Sequence, residues 1–134
     1  MCLSKTRTAT SNKNLITIFY FRKALEDKLE QIFNMQYKLA TQIENQRYPI
    51  KSEERIAALC TAIIHEAVEL RDLTSWKWWK TPQDFDIIKA KEELADIWHF
   101  VVQASLELDL TPKELYLAYV NKNKINHQRI KEGY

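Results

Sequence analysis

Four carboxylates stand in the chain as two pairs, Glu66 with Glu69 and Glu93 with Asp96, each pair three residues apart. On a helix, side chains three apart share a face. Stepping about 100° per residue, Glu66 lies beside Leu59, Ile63, Leu70 and Leu73, so it borders an apolar stripe. Between Leu94 and Leu106 the second segment is apolar nearly all round, which predicts a buried helix. Its polar exceptions are Asp96, His99, Gln103 and Ser105, and Glu93, Asp96, His99 and Gln103 fall on one stripe. Acids on a buried helix are costly unless something positive pairs with them. Hard cations meet that need, and Mg²⁺ is commonly held by a few carboxylates together with substrate phosphates. Two acid pairs on facing helices would make such a pocket. It could polarise a phosphoryl oxygen, generate hydroxide and orient a leaving group. Other readings stay open. A Glu-x-x-Glu pair is common on solvated helix faces, and Lys or Arg from elsewhere would turn the acids into a structural ion-pair network. Di-iron bundles use Glu-x-x-His on two helices. Here only Asp96 with His99 comes close, and the helix of Glu66 has no such pair.

The elements that must carry these residues are helical. A first helix is expected from about Ile18 to Arg47, with Leu25, Leu29, Ile32, Phe33, Gln36, Leu39 and Ile43 near one face. Pro49 and Ser52 mark a loop and a candidate N-cap, and a second helix is expected from about Glu53 to Leu73. Ser75–Thr81 reads as an aromatic and basic loop. Thr81-Pro82 reads as the N-cap and first residue of a third helix ending near Leu108. Thr111-Pro112-Lys113-Glu114 is a capping box with proline at the first helical position, opening a fourth helix. Four helices with short loops predict an all-α helical bundle. Residues 1–17 read as a poorly ordered N-terminal extension and residues 18–134 as one domain.

Composition narrows the class. There is one glycine, Gly133, and three prolines in 134 residues, so tight turns are few. Apolar residues make 46% and charged residues 28%, an ordinary globular balance. A net charge of +2 is too small to argue for nucleic-acid binding. No stretch reaches the ~20 apolar residues of a membrane span. Cys2 and Cys60 do not make a disulfide framework, so a reducing, cytoplasmic compartment is expected. Residues 1–25 carry Lys5, Arg7, Lys13, Arg22 and Lys23 and no acid, which is weakly like a transit peptide, with an unstructured extension the simpler reading.

The order Glu66-x-x-Glu69 then Glu93-x-x-Asp96 resembles the all-α NTP pyrophosphohydrolase superfamily, which includes MazG-like enzymes and the dimeric dUTPases. The finer resemblance is to the dimeric dUTPases. His65-Glu66-Ala67-Val68-Glu69-Leu70 is similar to their first acid motif, and Glu93-Leu94-Ala95-Asp96-Ile97-Trp98-His99-Phe100 to their second. Trp76-Lys77-Trp78-Trp79-Lys80 resembles their Trp-Lys-x-Trp-Lys loop, and Met35-Gln36 the start of their first-helix motif. Tyr119, Lys122, Asn126, Arg129, Gly133 and Tyr134 match a C-terminal Tyr-x-x-Lys-x-x-x-Asn-x-x-Arg-x-x-x-Gly-Tyr pattern. There are departures. Ala40 follows Leu39 where relatives usually carry Asn or Asp, a residue that helps hold the base. Relatives also commonly continue beyond the Gly-Tyr pair, a segment that would bear on phosphate closure or on the dimer.

The resemblance implies hydrolysis of dUTP, or of another dNTP, to the monophosphate and pyrophosphate by a helix-packed homodimer. It implies that Glu66, Glu69, Glu93 and Asp96 hold two or more Mg²⁺ ions, with Glu66 or Glu69 positioning the attacking water. Lys122, Asn126 and Arg129 share a helical stripe and would neutralise phosphate; a solvated basic helix end is the plain alternative. Lys77 and Lys80 fit a second clamp or ordinary loop charges. Trp76 and Trp79 fit stacking on base or sugar, or anchoring of the loop. Gln36 fits hydrogen bonding to a base, or a satisfied buried amide. Trp98 is expected in the core, His99 near the ligands or in the core, and His65 and Cys60 in structural roles. Two rivals remain: a broader MazG-like dNTP or dCTP pyrophosphohydrolase, and a non-catalytic nucleotide-binding module.

Overall fold

A computed structural model describes residues 27–43 and 48–133. Expectations for residues 1–26, 44–47 and Tyr134 lie outside them. The chain divides into two units, Met1–Gln31 and Ile32–Tyr134, and every contact described below falls within the second.

The described residues form four helices and no strand: α1, Lys28–Gln42; α2, Ser52–Asp72; α3, Ile87–Glu107; and α4, Pro112–Lys131. In α1, Phe33 and Gln36 are buried one turn apart, the pattern of a single inward stripe. Helix α2 starts one residue earlier than expected. Ser52 is its first helical residue, and Lys51 caps it without a side-chain hydrogen bond. Glu53 and Glu54 in its first turn and Arg71 in its last suit the helix dipole.

The start of α3 corrects the sequence reading. Asp86, not Thr81, is the N-cap, accepting from the backbone N–H groups of Ile88 and Lys89 at 3.0 Å each. Thr81-Pro82 precedes the helix because Gln83 is tied back to the end of α2. Its side chain donates to the carbonyl of Asp72 at 2.7 Å, and its backbone N–H donates to Ser75 Oγ at 3.1 Å. The capping box of α4 is present as read. Thr111 Oγ1 accepts from Glu114 N–H at 3.2 Å, the Glu114 carboxylate accepts from Thr111 N–H at 2.9 Å, and Pro112 opens the helix. Gly133 follows α4 with φ 86°, the left-handed position where glycine costs least.

Helices α2 and α3 make the extensive helix pair among the described residues, and Leu59, Ala90 and Val102, with Phe33 of α1, are the buried apolar side chains. Helix α4 buries none of its residues. The expectation that α3 is buried nearly all round is not met within one chain. Leu94 is 47% and Trp98 52% exposed, so Trp98 is not a core residue here. The physical reason is that, among the described residues, α2 alone packs broadly on α3 and leaves Leu94 and Trp98 exposed.

Candidate active site

The pairing of α2 with α3 brings the two acid pairs together. Carboxylate oxygens of Glu66, Glu93 and Asp96 lie within 4.8 Å of one another. A second grouping at the same spacing joins His65, Glu66 and Glu69, so Glu66 belongs to both. His65 Nδ1 sits 3.3 Å from Glu69 Oε1, and both side chains are well exposed. The burial gradient runs across the cluster: Glu93 is buried, Glu66 half-buried, Asp96 and Glu69 exposed.

Electrostatics make Glu93 the least comfortable member. Burial pushes its carboxyl above the usual range, the charge of Glu69 pushes it further, and Glu66 and Asp96 add to this against the opposing pull of Lys89. Adjacent anions each disfavour the others' ionised form. A cation bound among them would remove both penalties at once. The donor set is all carboxylate with one flanking imidazole, the oxygen-rich chemistry that hard divalent cations take, so the residues present fit Mg²⁺.

Gln36 is 8% exposed, and its amide is already engaged. Its Nε2 donates to Gln103 Oε1 at 3.0 Å, and its Oε1 lies 2.8 Å from His99 Nδ1. This is the satisfied buried amide, yet it also lines open space. A cleft of about 400 Å³ is bounded by Ile32, Met35, Gln36, Trp98 and His99. A second, of about 370 Å³, meets Gln36, Ala40, Tyr48, Leu59, His99 and Gln103. A primary amide has two N–H donors and two carbonyl lone pairs, so these two bonds use half of the Gln36 amide's capacity.

The Trp loop is held at one end and open at the other. Trp76 donates its indole N–H to Asp72 Oδ1 at 2.7 Å, and its ring lies 4.0 Å from the Arg71 guanidinium and 5.0 Å from Lys77 Nζ. The Trp76 hydrogen bond, with Arg71 and Lys77 behind it, outweighs desolvation and holds the Asp72 carboxyl below its usual range. Trp76 is therefore the anchor of the loop. Trp79 packs edge-on against it at 5.9 Å and remains 58% exposed. Lys77 and Lys80 line a small cleft with Asp72 and Trp76. Lys122, Asn126 and Arg129 are exposed on α4, which packs extensively on no other described helix. Cys60 is exposed rather than packed.

Three residues that the sequence did not single out join this site. Glu107 accepts from Tyr48 Oη at 2.9 Å, from Arg55 Nη1 at 3.2 Å and from Gln103 Nε2 at 3.1 Å. Glu107 continues the stripe of Glu93, Asp96, His99 and Gln103 by one more turn, which was a usable signal. Tyr48 and Arg55 are distant in sequence and carried none.

In this all-α fold, two of the four described helices, α2 and α3, bring two carboxylate pairs together. A family model described as dUTPase matches residues 28–114, well over half of the chain. The chain belongs to the all-α dimeric dUTPase family. No curated protein and no solved structure matches it. The matched stretch contains α1, α2, α3, both acid pairs and the Trp loop, and ends before Lys122, Asn126 and Arg129.

Proposed function

We propose that this chain hydrolyses dUTP to dUMP and pyrophosphate with Mg²⁺, as a homodimer in the cytoplasm. The observation that carries the metal-dependent reading is the convergence of Glu66, Glu93 and Asp96 oxygens within 4.8 Å around a buried, charge-crowded Glu93. Glu66, Glu69, Glu93 and Asp96 hold the cations. Bound there, Mg²⁺ supplies Lewis-acid polarisation of phosphate oxygens and a lowered pKa for water. Water attacks phosphorus at the bridge between the α- and β-phosphates, the P–O bond of that bridge breaks, and dUMP and pyrophosphate leave. Glu66 or Glu69 takes the proton from that water; Glu66 is shared by the two groupings and Glu69 is exposed beside His65, which supports this reading.

Lys122, Asn126 and Arg129 bind the phosphates, with Lys77 and Lys80 as a second source of positive charge. Gln36 offers its remaining donor and acceptor to the base, and the exposed ring of Trp79 offers a stacking face; Trp76 supports it from below. The exposed apolar side of α3, with Leu94 and Trp98, is the surface a second copy would cover.

One observation favours a broader dNTP or dCTP pyrophosphohydrolase as the second reading. Ala40 lines the cleft beside Gln36 and offers no side-chain hydrogen bond to a base. Purified protein, Mg²⁺ and each dNTP in turn, with detection of pyrophosphate, tests both. Preference for dUTP supports the first reading and comparable turnover of dCTP the second. Nucleotide binding without turnover makes the chain a binding module.

A further inference from the structure

A continuous hydrogen-bonded chain runs from α2 to the cleft. Arg55 Nη1 donates to Glu107 Oε2 at 3.2 Å, and Arg55 Nε donates to the carbonyl of Pro49 at 2.6 Å, which fixes the guanidinium at two points. Glu107 Oε1 accepts from Tyr48 and from the Gln103 amide. Gln103 Oε1 then accepts from Gln36 Nε2, and Gln36 Oε1 faces His99 Nδ1.

The direction of this chain is set at one end only. An ionised carboxylate accepts and cannot donate, so Gln103 must turn its NH₂ toward Glu107 and its carbonyl toward Gln36. Gln36 must then turn its NH₂ toward Gln103 and its carbonyl toward His99. A carbonyl facing Nδ1 requires the proton on Nδ1, which in the neutral imidazole leaves Nε2 as a bare acceptor. We infer that Glu107 is a positioning residue that fixes the Gln103 and Gln36 amides and holds His99 as its Nδ1–H tautomer, at a site bordering both clefts. Glu107 stays anionic near neutral pH. Burial raises its carboxyl, but hydrogen bonds from Tyr48, Arg55 and Gln103 and the charge of Arg55 outweigh that and hold it below the usual range.

Glu107→Gln gives a sharp test because Arg55 donates only. It claims the single carbonyl of the new amide, so the new NH₂ must face Tyr48 and Gln103. Tyr48 tolerates this, since a hydroxyl both donates and accepts. Gln103 and Gln36 must each turn over, and His99 must move its proton to Nε2. The tautomer is read on the full chain without nucleotide, by ¹⁵N–¹H correlation of labelled histidines at a pH well above their titration. The His99 signals are assigned by their loss in His99→Gln.

The expected result is the Nδ1–H pattern in the wild type and the Nε2–H pattern in folded Glu107→Gln. Should that variant not fold, the wild-type spectrum still decides: a His99 already in the Nε2–H form overturns the inference. So does an unchanged tautomer in folded Glu107→Gln. A consequence for substrate rests on the dUTP reading. A bare acceptor suits a ring N–H of uracil and a donor suits the unprotonated ring nitrogen of cytosine, so the preference for dUTP over dCTP should fall several-fold in Glu107→Gln. A switched tautomer with an unchanged preference would overturn that link. Absence of all turnover in the wild type counts against the dUTP reading and leaves the histidine spectra to judge the relay.

Discussion

Arg55 on α2 and Glu107 at the end of α3 form an ion pair at 3.2 Å, with the Glu107 side chain only 12% exposed. Tyr48 lies in the same cluster, its ring 5.2 Å from the Arg55 guanidinium. The pair ties the far ends of the two best-packed helices. Removing the cation leaves a mostly buried carboxylate with fewer partners, and Arg55→Gln should lower stability by about 1–2 kcal/mol, discounted for the one-third exposure of Arg55. The pH dependence follows from the lowered pKa of Glu107. A depressed carboxyl stabilises the fold above its unfolded value of 4.5 and loses that contribution as pH falls through the lower folded value. Urea melts from neutral pH downward should show stability falling on acidification, with a flatter profile in Arg55→Gln. Parallel profiles would show that the pair adds nothing.

Glu93 has the opposite sign. Its carboxyl is raised, so the fold is favoured by its protonated form and opposed by its anion as pH rises through the raised value. In metal-free buffer at neutral pH, Glu93→Gln should therefore be at least as stable as the wild type. Added Mg²⁺ should raise the melting temperature of the wild type and leave Glu93→Gln little changed. Glu66→Gln, Glu69→Gln, Glu93→Gln and Asp96→Asn should each lose nearly all pyrophosphate release while remaining folded. Wild-type rates in any two of them would remove the assignment.

The basic stripe of α4 lies beyond the family match and is tested separately. Lys122→Ala and Arg129→Ala should each raise KM or lower kcat by about 1–3 kcal/mol in kcat/KM, the loss of a charged hydrogen bond to phosphate. Steady-state kinetics with unaltered kcat/KM in both variants would return the stripe to solvated surface.

What the sequence made legible was periodic and local. The four helices, the Thr111 capping box and the facing acid pairs all follow from spacing within one segment. The start of α3 was misread because Thr-Pro satisfies the local rule for a helix opening, while the tie from Gln83 to Ser75 and Asp72 is a contact across a loop. Trp98 was misread because apolar spacing within one helix does not say which of its sides the rest of the chain covers. Tyr48 and Arg55 reach Glu107 only through the pairing of α2 with α3, which no sequence window contains.

The uncovered side of α3 predicts association. Leu94 and Trp98 are each about half exposed on the helix that carries Glu93 and Asp96. Sedimentation at micromolar concentration should show a dimer, and Leu94→Asp should shift it toward monomer. A stable and active wild-type monomer would reject the homodimer.

The last prediction concerns the base. Excluding cytosine takes polar groups matched to the O4 and N3–H of uracil, because a wrong base then leaves buried partners unsatisfied. Gln36 keeps one donor and one acceptor after its bonds to Gln103 and His99. Ala40 lines the same cleft, one helical turn further along α1, and supplies neither. The same cleft is lined by Leu39, Ile43 and Leu59 and by the polar side chains of Tyr48, His99 and Gln103, so a polar group at position 40 would add to an existing set. The wild type should therefore prefer dUTP but reject dCTP poorly. Ala40→Asn places an amide beside Gln36 on an exposed-to-buried boundary where the larger side chain has open space to enter, so the fold should tolerate it. Values of kcat/KM for dUTP, dCTP and dTTP decide the matter. The ratio of dUTP to dCTP should rise in Ala40→Asn, chiefly through slower dCTP turnover. Equal wild-type rates on all three nucleotides would move the chain to the broad-specificity reading. A ratio unmoved by Ala40→Asn would place base selection elsewhere in the cleft.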